Sequence, residues 1–96
     1  MKLLDKARKE VEELDLGVVE VNTTKEYQYI LFNDTDAELN EIGLSINNKE
    51  IKVLYIPKSL NALSSGEVKF SWTPTLKITK GTKTTFSLKG TEFYKL

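Results

Sequence analysis

Residues 26–32 read Glu-Tyr-Gln-Tyr-Ile-Leu-Phe (EYQYILF), and this stretch decides the fold class. Its aromatic and β-branched side chains fit a pleated, half-buried surface. Polar turns bracket it, with Asn22-Thr23-Thr24-Lys25 before and Asn33-Asp34-Thr35-Asp36 after. Asn, Asp and Thr side chains bond to nearby backbone and so favour turns. A strand punctuated at both ends is the unit that recurs through most of the chain.

Towards the C-terminus, residues 38–46 carry Leu39, Ile42, Leu44 and Ile46, with period two from Ile42 onward. Asn47-Asn48 predicts a two-residue hairpin, because Asn tolerates the positive φ of a type I′ turn. Residues 50–56 alternate Ile51, Val53, Tyr55 against Lys52, Leu54, Ile56 and stop at Pro57. Both sets are largely apolar, which predicts cover on both faces. Residues 57–66 form the longest irregular segment, with Leu60 and Leu63 placed to tuck beneath it. Further strands are expected over 67–72, 76–79 and 82–88, and residues 91–96 form a last short strand or tail. Seven or eight strands at intervals of about ten residues point to a mainly β sandwich or barrel.

Towards the N-terminus the period changes at Gly17. Val18, Val19 and Val21 predict the first strand. Before it, Leu3, Ala7, Val11 and Leu14 recur at helical spacing, and Leu4 widens the stripe. The expectation is a short N-terminal helix over 1–15 followed by a β domain over 17–96. Met1-Lys2-Leu3 supplies no N-cap, and Lys and Arg come early while Glu comes late, against the helix dipole. Such a segment reads as the end of a longer helix running in from upstream. The alternative is a marginal helix docked on the sheet.

Composition narrows the function. A hydrophobic share of 40% with 29% charged residues fits a folded globular domain rather than a disordered chain. Net charge is zero and Arg8 is the single arginine, so neither a global field nor guanidinium forks recruit nucleic acid. No stretch approaches the roughly 20 apolar residues of a membrane span. The absence of His and Cys removes Ser-His-Asp and Cys-His catalysis and thiolate or imidazole metal sites. Glu67 and Glu92 remain as a formal acid/base pair, but isolated surface carboxylates are the simpler reading. No catalytic residue, cofactor site or metal site is expected.

Three patterns have simpler readings. Asp34-Thr35-Asp36 begins like a calcium loop, but Leu39 and Ser45 stand where its glycine and its closing Glu belong. An acidic turn is expected there. Asn22-Thr23-Thr24 and Asn33-Asp34-Thr35 both match the glycosylation acceptor pattern, making Asn22 and Asn33 candidate modification sites. Tyr27, Tyr29 and Trp72 could serve a carbohydrate platform, but core packing accounts for such aromatics in a small sandwich.

Three stretches carry a resemblance. A strand running into Asn (YILFNDT), a second ending in a tight Asn turn (IGLSINNKE) and a late Gly-Thr element (ITKGTKTTFSL) follow in that order. The chain resembles the small immunoglobulin-like domains of archaeal and bacterial cell surfaces, and in layout the archaellum stator proteins of archaea. That resemblance implies an immunoglobulin-like antiparallel β-sandwich behind a membrane helix, extracytoplasmic and in contact with a surface layer or partner subunit. It implies no catalytic residues.

The expected function is therefore a non-enzymatic binding or anchoring module with a protein partner or a homo-oligomeric assembly. Membrane contact would come only through a helix upstream of Met1. A cytosolic or viral structural sandwich and a carbohydrate-binding module are the alternatives. The strand carrying Tyr27, Tyr29 and Leu31 is the expected interface edge.

Overall fold

The computed structural model describes residues 1–77 and 80–94, and in them it places eight strands in antiparallel sheets. These are β1 (Lys2–Leu4), β2 (Leu14–Gly17), β3 (Lys25–Phe32), β4 (Glu38–Ile46), β5 (Ile51–Tyr55), β6 (Ser65–Trp72), β7 (Thr82–Thr84) and β8 (Phe86–Phe93). One sheet has four strands in the order β1-β3-β6-β5, while β2 pairs with β7 and β4 with β8. The mainly β class holds, and β3 to β6 fall within two residues of the expected strands.

The N-terminal helix is a correction: among the described residues there is none. Leu3 and Leu4 instead extend beside Leu31 and Ile30 of β3. The Asp5 carboxylate explains the switch, since its Oδ1 accepts from the Ala7 and Lys9 amides at 2.9 and 3.0 Å. That side chain gives the backbone an alternative to a helical turn. Arg8 takes a positive φ of 64°, and the chain doubles back so that the Val11 amide reaches the Leu3 carbonyl. A lone helix of that length is marginal in water, so pairing with β3 prevails.

Other expectations also shift. The first interior strand lies at Leu14–Gly17 rather than over Val18–Val21, because Leu14 and Leu16 carry the buried alternation while Val18 is exposed. Residues 76–79 were expected to form a strand, but Ile78 and Thr79 lie outside the described residues, as do Lys95 and Leu96. Residues 82–93 form β7 and β8, which go to different partners. Asn47-Asn48 closes no hairpin, since β4 pairs with β8 and β5 with β6. The Asn48 Oδ1 accepts from the Glu50 amide at 2.9 Å, and this local turn carries the chain from one sheet to the other.

β3 and β6 form the spine of the four-stranded sheet, with Tyr27 opposite Phe70, Tyr29 opposite Val68 and Leu31 opposite Gly66. Alternation puts all of these on one face. Leu31, Val68, Phe70 and Trp72 are buried there with Leu3, Leu14 and Leu16 of β1 and β2, Leu39 and Ile42 of β4, and Leu60. Full burial of one such side chain is worth about 1.5–3 kcal/mol, so this cluster dominates the stability. Gly66 has to be glycine, because a Cβ there would lie 2.6 Å from Cγ of Pro57, on a rigid ring.

Asn33 is the polar pin of the fold. It is fully buried just after β3. Its Nδ2 donates to the carbonyls of Ala37 (2.8 Å), Asn61 (3.0 Å) and Leu60 (3.3 Å). Its Oδ1 accepts from the Thr35 amide at 3.0 Å and the Thr35 hydroxyl at 2.7 Å. The turn after β3 is thereby tied to residues 60–61, which in turn pair with β4 through reciprocal Leu39–Leu60 backbone bonds.

Candidate strand-edge interface

The expected edge strand is an edge over only part of its length. β1 is three residues long and covers Ile30 to Phe32, so Leu31 is paired on both sides and fully buried. Tyr27 and Tyr29 lie in the uncovered half. Backbone direction follows from the hydrogen bonds. Leu3 and Asp5 turn away from β3 to bond Val11 and Lys9, so Leu4 turns toward Ile30. By alternation Gln28 and Glu26 present their main-chain groups to the same side as Ile30, with no strand opposite among the described residues. The loop residues Asp5, Lys6 and Ala7 flank this notch.

The two tyrosines themselves are structural. Their rings stack on Phe70 at centroid separations of 5.1 and 5.6 Å. The Tyr27 hydroxyl donates to the Leu16 carbonyl at 2.7 Å. Burial, and secondarily the neighbouring Tyr29 phenol and Asp15 carboxylate, push the Tyr27 phenol above its ordinary pKa; Tyr29 is raised chiefly by burial as well. Trp72 is 1% exposed, and its indole N–H donates to Glu50. Trp72 is therefore a core residue, while Tyr27 and Tyr29 are half-buried against the core.

The two acceptor asparagines part ways. Asn22 sits exposed in a turn with a φ of 61°. Asn33 is a correction: the nitrogen that would carry a glycan is buried and donates to three carbonyls, so a glycan there and this fold exclude one another. In the acidic turn, Asp34 accepts from the Met1 ammonium, a bond that holds its carboxyl below the usual range.

The opposite side of the sheet holds the edge that sequence reading missed. Among the described residues β5 pairs with β6 alone. The Thr73 amide reaches the Glu50 carbonyl, so Glu50 and Lys52 turn toward β6 while Ile51 and Val53 turn outward. The Ile51 amide is satisfied by the Asn48 carbonyl, which leaves the Val53 N–H and C=O and the Ile51 C=O facing outward. A bulge between Val53 and Tyr55 breaks the alternation. Cover on both faces of this strand is accordingly a correction: Leu54 is 44% exposed and Tyr55 55%. The two apolar sets of residues 50–56 were the available signal, since two-sided burial and an apolar edge read alike in a sequence.

Comparison with known proteins finds no matching family model, no matching curated protein and no matching solved structure.

Proposed function

We propose that this chain is a non-enzymatic, immunoglobulin-like binding module that joins a protein partner by adding a strand to its four-stranded sheet. The observation that carries this reading is that, among the described residues, the sheet ends open on both sides, along the first half of β3 and along β5. Unpaired edge groups are a ready template for an extended segment, with main-chain bonds giving affinity and side chains giving selectivity. The immunoglobulin-like part is supported by strand order. Taken in sequence, β1-β3-β6-β5 matches the A-B-E-D sheet of that fold. Residues Lys2–Leu4 contribute a strand rather than the tail of an anchoring helix. At a cell surface, the setting that the archaellum stator layout implies, Asn22 is the acceptor that a glycan reaches.

The test is to capture partners with the whole chain and follow amide exchange in each recovered complex. The expected result is new protection on β3 at Gln28 or on β5 at Val53. A complex in which both edges exchange as fast as in the free chain overturns the proposal.

A further inference from the structure

The β5 edge differs from the β3 notch in what surrounds it. Lys49, Lys52 and Lys58 are all exposed along this edge. Among the described residues none of the three has a carboxylate within ion-pairing distance. The one acid in the segment, Glu50, is spent: its carboxylate accepts from the Thr75 hydroxyl and amide and from the Trp72 indole. Next to these cations runs a shallow groove lined by Val53, Leu54, Tyr55, Ile56 and Lys58. A lysine in an edge strand is by itself an ordinary guard against edge-to-edge aggregation. A guarded edge has no need of an exposed Leu54 and Tyr55 beside its free main-chain groups.

Building on the strand-addition reading, we infer that β5 is the docking edge and that its occupant is an extended protein segment alternating apolar and acidic side chains. The main chain of that segment pairs with Val53. Its apolar side chains extend the core-side row of Ile51 and Val53, and its carboxylates share the outer face with Lys52, with Lys58 at the groove beside it. A second copy of this chain is the poorer occupant. Antiparallel self-pairing centred on Val53 sets Lys52 of each copy diagonally across from Lys52 of the other on one face, bringing like charges together. The β3 notch also has lysines, Lys6 and Lys25, but Asp5 and Glu26 line it with them, so its charge is balanced where that of the β5 edge is not.

The probe is a blocked synthetic hexapeptide of alternating Val and Glu, titrated into the isotope-labelled whole chain at low salt and followed by amide chemical shifts. A Val-Lys hexapeptide serves as the comparison. The expected result is saturable shifts centred on Val53, Leu54 and Tyr55, with the Val-Lys peptide binding at least about tenfold more weakly. The Lys52→Glu/Lys58→Glu variant, checked for folding by its own spectrum, is expected to reverse that preference. Equal binding of both peptides, no binding of either, or concentration-dependent self-association through Val53 overturns the inference. Shifts centred on Gln28 instead overturn the β5 assignment while leaving strand addition as the function.

Discussion

Removing the Asn33 side chain tests whether one buried amide holds the loops of this fold together. In Asn33→Ala, Nδ2 and Oδ1 vanish, and with them five hydrogen bonds. Nδ2 has two hydrogens for three carbonyls, so the Leu60 and Asn61 contacts share one. The carbonyls are not orphaned. Leu60 O keeps the Leu39 amide, Asn61 O keeps Ser64, and Ala37 O keeps the Thr35 hydroxyl. The Thr35 amide loses its acceptor but is only half-buried, where water can replace it, so the loss is the net worth of the bonds, about 1 kcal/mol each. About four effective bonds give a cost of about 3–4 kcal/mol. A domain of this size holds about 5–15 kcal/mol in total, so the variant should fold but melt well below the parent. Asn33→Asp should cost more than Asn33→Ala, because a carboxylate oxygen would face three carbonyls in a buried site. Urea unfolding measures both, with the midpoint moving and the slope unchanged. An Asn33→Ala cost under about 0.5 kcal/mol, or an Asp variant as stable as the Ala variant, would refute the clamp.

Glu50 should give the protein an acid-sensitive component. Hydrogen bonds from the Thr75 hydroxyl, the Thr75 amide and then the Trp72 indole hold its carboxyl below the ordinary value of 4.5. A carboxyl depressed in the folded state stabilises above its unfolded pKa and loses that contribution as pH falls through its folded pKa. The stability gap between the parent and Glu50→Gln should thus narrow as pH falls below about 4.5, and a gap constant with pH would remove Glu50 as the cause. Tyr27→Phe should cost about 1 kcal/mol for the bond to the Leu16 carbonyl. Tyr29→Phe keeps the stacking on Phe70 and serves as the control in the same thermal melts; equal losses in both would deny the Tyr27 bond its role.

Strand identity was legible because it is local. β3 and β4 announce themselves by alternation and β-branched or aromatic content between Asn- and Asp-rich turns, and the structure puts them where the pattern does. The interface was half legible. Tyr27 and Tyr29 were singled out as an edge, yet whether a strand is an edge depends on which segments pair with it, and β1 closes the Leu31 end. β5 was hidden by its own composition, since apolar residues on both sides of a strand suit a buried strand and a docking edge equally.

By itself the sequence determined that the chain is built of strands and that it holds no imidazole or thiol, because these depend on side-chain pattern and inventory alone. Only the tertiary structure decided that Leu3 and Leu4 join β3 instead of a helix. It also decided that Asn33 turns inward as a clamp and that β5 stands at the rim. Each of those outcomes rests on hydrogen bonds between residues far apart in the chain, or on the lack of a neighbouring strand, and no local period encodes either.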